Sequence, residues 1–204
     1  MFCNFERAPL ILIVGPSGVG KDSLINGAQR KLVGDQRFVF PRRFITRPSD
    51  HGGEDHIPLS LARFESLSQQ DGFMLHWRAH GFAYGIPATV LGDLCLGRAA
   101  VVNASRAIVD EALNRFRLVH AIHVTASPTR VADRLVRRGR ETPAQIAERL
   151  SRTVQGRSEE DLVFDNDGPL SQSIDGFVRL LEELHDVVGP RIDEKEKESR
   201  HVTV

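Results

Sequence analysis

The stretch Leu10-Ile11-Leu12-Ile13-Val14-Gly15-Pro16-Ser17-Gly18-Val19-Gly20-Lys21-Asp22-Ser23 decides how the chain folds. Five consecutive apolar residues read as a strand buried on both faces, as in parallel sheets. The glycine-rich segment after it has the spacing G-x-x-x-x-G-K of the Walker A phosphate loop. Backbone N–H groups of such a loop cradle a nucleotide's phosphates, and the lysine reaches the β- and γ-oxygens. Gly15, Pro16, Ser17, Gly18, Val19, Gly20, Lys21, Asp22 and Ser23 are therefore assigned to nucleotide binding. A helix from Lys21 to about Leu32 is expected next, and its N-terminus also favours anions. Strand, glycines, lysine and helix agree, which sets a chance glycine-rich turn aside. One position departs from the pattern. The residue after the lysine, ordinarily Ser or Thr holding Mg²⁺, is Asp22, and the hydroxyl comes one later at Ser23.

Outward from this stretch the chain changes character twice. Residues 37–40 and 43–46 read as short strands, followed by a polar, turn-rich loop from Arg47 to His56. Ser60 caps a helix to about Gln70, with Leu61, Phe64 and Leu67 at helical spacing. Residues 73–77 and 82–85 read as two antiparallel strands around Gly81. The segment from about 43 to 86 is thus a small α+β insert. From Pro87 helices and strands alternate: helices at 88–96, 106–116 and 128–138, strands at 99–103 and 118–124. Thr142 caps a further helix to about Gln155, and a strand at 162–164 leads into a helix at 170–187. The alternation implies an α/β fold, a doubly wound parallel sheet of the P-loop type. Residues 1–190 are expected to form one kinase-like domain, with a lid at about 134–152. The charged tail 191–204 has too few apolar residues to pack and is expected to be disordered.

Composition excludes several classes. The chain has 204 residues and no net charge, so no basic field points to nucleic acid as a partner. Cys3 and Cys95 lie far apart without metal-ligand spacing, which indicates neither a disulfide framework nor a zinc site. No apolar run reaches the length of a membrane span, and the N-terminus lacks the build of a signal peptide, so the expected location is the cytoplasm. The cations are lopsided, 23 Arg against 4 Lys. Biased codon usage is one source of such an excess; the other is that guanidinium forks suit bidentate phosphate contacts.

Two arginine clusters stand out. Arg42, Arg43 and Arg47 enter the insert; Arg134, Arg137, Arg138 and Arg140 follow one another, with Arg149 and Arg152 behind. Arg134 and Arg138 share a helix face, where like charges repel. A charge-spread phosphoryl-transfer transition state is the chemistry that uses such a group. No H-R-D-type catalytic loop is visible, and no isolated Asp presents itself as a base. A phosphate acceptor needs none, because it is mostly dianionic near neutral pH and already nucleophilic. His76, His80, His120 and His123 have no helical pairing or cysteine partner and read as ordinary core or surface histidines. Trp77 and Phe82 read as packing residues of the insert.

The order of parts resembles guanylate kinase: the phosphate loop, Ile45-Thr46-Arg47-Pro48, Gly72 to Trp77, Tyr84-Gly85 and the arginines at 134–140. The closer resemblance is to the ribose 1,5-bisphosphate phosphokinases of phosphonate utilisation. It is carried by Gly20 to Leu24, Arg43 to Arg47, Glu54 to Ile57, Asn103-Ala104-Ser105-Arg106, Arg138 to Glu141 and Asn166-Asp167-Gly168. That family also has Asp after the lysine. Two departures separate the chain from guanylate kinase. His76 stands where guanylate kinases place the Glu that binds the guanine edge, and Ile57 ends a segment that there contains a tyrosine.

The resemblance implies transfer of a phosphoryl group from ATP, with Mg²⁺, to the 1-phosphate of ribose 1,5-bisphosphate, giving 5-phospho-α-D-ribose 1-diphosphate. It implies catalytic roles for Lys21, Arg137, Arg138 and Arg140, and Mg²⁺ held by Asp22 or Ser23, directly or through water. Arg43, Arg47, Asp55, His56 and Tyr84 are expected toward the sugar bisphosphate, with Arg149 and Arg152 supporting the transferring group. The partners expected are these small molecules, with the oligomeric state open. The rival readings are a guanylate or other nucleoside monophosphate kinase, and a non-catalytic interaction module.

Overall fold

The uninterrupted apolar run becomes β1 (Leu10–Val14), buried at every position and third in a five-stranded sheet. The computed structural model describes residues 6–48, 55–139, 142 and 162–187. The sheet order is β2 (Phe38–Val39), β7 (Ala99–Asn103), β1, β8 (Val119–Thr125), β9 (Leu162–Asp165). Every neighbouring pair is parallel. Parallel strands need helical crossovers, which cover both faces. Ile11 and Ile13 pack with Leu24 and Ala28 of α1 (Lys21–Lys31), Leu135 of α5 (Pro128–Arg138), and Phe177 and Leu181 of α6 (Leu170–Asp186). Leu10, Leu12 and Val14 face the other way, onto Leu94 of α3 (Val90–Cys95) and Val109 and Ala112 of α4 (Val109–Arg115). β1 lies between β7 and β8, so the connections diverge at its C-terminal end. In open α/β sheets that divergence opens the ligand crevice.

A second, four-stranded sheet has the order β4 (Ile57–Pro58), β3 (Phe44–Ile45), β6 (Phe82–Pro87), β5 (Phe73–Ala79). β5 and β6 form an antiparallel hairpin, and β3 joins β6 antiparallel and β4 parallel. The hairpin turns through His80 and Gly81 with φ of 51° and 79°, the two left-handed residues that a tight hairpin turn requires. α2 (Leu61–Gln69) starts where expected, Ser60 Oγ accepting from the Arg63 N–H at 3.2 Å. It covers one face of the hairpin, Phe64 stacking on Phe73. Ile45, Met74, Leu75 and Ile86 of this sheet join the apolar cluster of Leu10 and Leu12. The two sheets therefore share one core.

The alternating helices and strands sit close to their expected places, with three differences. The helix expected over 106–116 begins as a 3₁₀ turn at Arg106–Ile108, capped by Ser105, before α4. β4 is two residues long, too short for any periodicity to announce it. Cys95 is disulfide-bonded, contrary to the reading from spacing; the Arg7 N–H donates to the Leu94 carbonyl at 3.0 Å, bringing a distant stretch of chain beside α3. The helix expected from Thr142 and the tail 191–204 lie outside the described residues. No helix among the described residues is long and apolar enough to cross a membrane.

Candidate active site

Between Val14 and α1 the backbone passes three times through left-handed conformations, φ 140° at Gly15, 93° at Gly18 and 97° at Gly20. A Cβ on Gly15 would run into the Val124 carbonyl, and one on Gly20 would sit 2.5 Å from Asn166 Nδ2. Glycine is thus required by conformation and by space. Gly20 caps α1 without a side-chain bond, so no side chain competes with an anion for the first-turn N–H groups. Lys21 Nζ donates to the carbonyls of Gly15 at 2.7 Å and Pro16 at 3.0 Å, folded over the loop it serves.

The loop is held from below by two side chains. Asn166, which follows β9 and is fully buried, donates through Nδ2 to the Val19 carbonyl at 2.7 Å. Arg134 of α5 donates to the same carbonyl at 2.8 Å. On the other side Asn103, the last residue of β7, donates through Nδ2 to Asp22 Oδ1 at 2.7 Å. Asp22 is half-buried and Ser23 exposed. Both are hard oxygen donors at the helix start, and Mg²⁺ is commonly held by one or two carboxylates together with substrate phosphates and water. The donor set fits that ion.

A cavity of about 950 Å³ opens over the loop and reaches across to the second sheet. Its far wall carries Arg43, Arg47, Trp77, His80 and Tyr84. Trp77 and Tyr84, opposite each other on β5 and β6, stack at 5.4 Å with 6° between their planes. The buried Arg43 guanidinium lies 5.5 Å from the Trp77 centroid and 5.2 Å from that of Tyr84. Stacking of this kind holds a guanidinium flat. Arg47 Nε is buried and has no hydrogen-bond partner among the described residues. A buried, unanswered donor on a cavity wall is a ready anion contact.

The structure brings together Lys21, the glycines of the loop, Asp22, Ser23, Arg43, Arg47, Tyr84 and Arg137 around this cavity. It does not bring Asp55 or His56 to the wall. Asp55 is exposed and pairs with Arg42 at 3.4 Å. His56 is buried, its Nε2 at 2.9 Å from the Arg47 carbonyl. Its place is behind Arg47, because β4, which follows it, pairs with β3 and brings the imidazole to the Arg47 carbonyl. Arg140, Arg149 and Arg152 lie outside the described residues, as does the Arg138 side chain. The sequence reading assigns no site role to Asn103, Arg130 or Asn166, groups Arg134 only with the lid arginines, and reads Trp77 as packing and His80 as an ordinary histidine; all six line the cavity. Asn103 ends β7 and Asn166 follows β9, each opening a short polar motif, a signal that was present. His76, by contrast, is exposed, its Nε2 3.2 Å from Ser68 Oγ, on the opposite strand face from Trp77.

A parallel sheet in this order, a phosphate loop after its central strand and a cation-walled cavity at the switch point define the α/β P-loop class of fold. The fold matches the crystal structure of guanylate kinase from Anaplasma phagocytophilum, TM-score 0.62 at 16% identity, covering 86% of this chain and 85% of that one. No family model matches the chain. It is 45% identical over 178 residues to ribose 1,5-bisphosphate phosphokinase PhnN of Acidiphilium cryptum, covering 87% of this chain and 94% of that protein. It is also 44% identical over 171 residues to the bifunctional ribose 1,5-bisphosphokinase-thymidine phosphorylase of Azorhizobium caulinodans. The match spans only 25% of that longer protein. The chain belongs to the ribose 1,5-bisphosphate phosphokinase family.

Proposed function

We propose that the chain transfers the γ-phosphoryl group of ATP to the 1-phosphate of ribose 1,5-bisphosphate, giving 5-phospho-α-D-ribose 1-diphosphate and ADP, a step linked to phosphonate catabolism. The observation that carries this reading is one cavity with two cationic walls: Lys21 and the phosphate loop on one side, Arg43 and Arg47 on the other. An acceptor with a phosphate at each end fits between them. Asp22 and Asp133 are the acids on the described lining, both on the nucleotide side, so among the described residues no carboxylate stands on the acceptor wall. An acceptor phosphate needs none, since its oxygen is already anionic.

In the reaction an oxygen of the 1-phosphate bonds to the γ-phosphorus, and the bond from that phosphorus to the β,γ-bridging oxygen breaks. The electron pair leaves on ADP. The loop amides and Lys21 hold the donor phosphates in line, and Arg137 closes the cavity edge. The second-sheet arginines hold the acceptor so that positioning and charge neutralisation supply the catalysis. Arg138, Arg140, Arg149 and Arg152 complete the cationic lid in this reading. Asp22 and Ser23 would hold Mg²⁺, which neutralises β- and γ-oxygen charge when bound. The exposed place of His76 supports a sugar acceptor over guanine, because the side chain at the guanine-binding position faces away from the cavity.

The test offers purified protein ATP, Mg²⁺ and either ribose 1,5-bisphosphate or GMP, and follows ADP. Release with the sugar and not with GMP is expected. Release with GMP alone overturns the substrate assignment, and silence with both favours a non-catalytic module. Lys21→Ala is expected to abolish turnover while thermal unfolding stays close to wild type.

A further inference from the structure

In P-loop enzymes a hydroxyl on the loop and a carboxylate from a neighbouring strand share the Mg²⁺. Here the carboxylate stands on the loop instead, and the strand carries none. The loop position after Lys21 carries the carboxylate, Asp22. β7, the parallel neighbour of β1, ends beside the loop in an amide, with Asn103 in register with Ile13. The two side chains meet at 2.7 Å. We infer that the carboxylate of the metal site has exchanged places between strand and loop: Asp22 supplies the charge, and Asn103 is the positioning residue that orients it.

Three observations carry the exchange. Neither the loop, 15–23, nor the segment 99–106 contains another acid, and the remaining acid on the described lining, Asp133, belongs to α5. Asp22 is therefore the one carboxylate that the loop and β7 offer. Second, the identity of residue 103 follows from that of residue 22. An acid at both positions would press two negative charges together at hydrogen-bond distance, and one would take up a proton. An amide at 103 removes the repulsion and donates a hydrogen bond instead. Third, the contact is made to Oδ1 of Asp22, and a donor held against one carboxylate oxygen fixes the orientation of the group. Such an outer partner is how proteins orient a metal-holding carboxylate. Local net charge is the same as in the ordinary arrangement; only its address differs.

The inference rests on the nucleotide-binding half of the proposed function and needs no acceptor, so the two fail separately. Mn²⁺ replaces Mg²⁺ as the probe, and electron paramagnetic resonance reads its affinity for the full chain loaded with a non-hydrolysable ATP analogue. The proteins are wild type, Asp22→Ser, Asp22→Asn and the double variant Asp22→Ser/Asn103→Asp, with thermal unfolding followed in parallel. Asp22→Ser is expected to weaken Mn²⁺ binding by on the order of tenfold or more, and the double variant to regain most of that loss by restoring the strand-borne acid. Asp22→Asn keeps the shape and the contact with Asn103, and reports loss of charge should the serine variant fold poorly. Unchanged Mn²⁺ affinity in both single variants, or a double variant no better than Asp22→Ser, overturns the exchange.

Discussion

Arg134 Nη2 donates to the Asn166 carbonyl at 2.6 Å while the Asn166 amide and Arg134 Nη1 share the Val19 carbonyl. The two residues form a closed bracket under the phosphate loop, tying α5 to the end of β9. Removing one arm leaves a buried group partly unanswered. Asn166→Ala is expected to cost about 1–3 kcal/mol of stability and to weaken nucleotide binding, because Val19 would be held by Arg134 alone. Calorimetric titration with ADP and thermal unfolding measure both. Wild-type nucleotide affinity in the variant would show that the bracket is structural only.

Gly20→Ala addresses the same junction from the backbone. The residue sits at φ 97°, where an L side chain costs about 1–2 kcal/mol, and its Cβ would meet Asn166 Nδ2 at 2.5 Å. Nucleotide binding is expected to fall at least tenfold with circular dichroism unchanged. Tight ADP binding by the variant contradicts the geometry.

Arg43→Lys preserves charge and removes the planar fork stacked on Trp77 and Tyr84. Lysine does not replace arginine at a stacked, bidentate site. Steady-state kinetics are expected to show the KM for ribose 1,5-bisphosphate raised about tenfold or more with the KM for ATP near wild type. An ATP-side effect instead would move Arg43 out of the acceptor site.

His120 makes a pH-dependent contribution to stability. Burial in β8 pushes its pKa below the ordinary 6.5, and its Nε2 is buried without a partner among the described residues. The folded chain therefore takes up this proton less readily than the unfolded one. The stability it contributes is present above 6.5 and is lost as pH falls through the depressed folded value. Unfolding midpoints are expected to drop between pH 7 and pH 5, with a shallower slope in His120→Leu. Parallel slopes would assign the effect to other groups.

The doubly wound sheet was legible because Leu10 to Val14 and Ala99 to Val102 are apolar on both faces, and such runs have few alternatives. The phosphate loop was legible because its glycines are demanded by conformation. Asp55 and His56 were misread for a different reason. Arg43 and Arg47 earlier in the same segment face the cavity, but the pairing of β4 with β3 is non-local and puts His56 against the Arg47 carbonyl. Trp77 was read as packing, and it does pack; its second use, as a plate for Arg43, depends on Tyr84 arriving from the adjacent strand. The Cys95 disulfide escaped notice because spacing along a chain says little about distance in space.

The shared apolar cluster of the two sheets has a consequence for how such an enzyme changes its acceptor. Ile45, Met74, Leu75 and Ile86 are locked into the same interior as Leu10 and Leu12, so the second sheet is no detachable cassette. Trp77 and Tyr84 belong both to the cavity wall and to that interior, so changing the wall there also disturbs close packing. A lineage that acquires a new acceptor is thereby confined to rewriting one surface of one small sheet. The donor half stays untouched, and the palette of acceptors is set by what a handful of wall residues can hold.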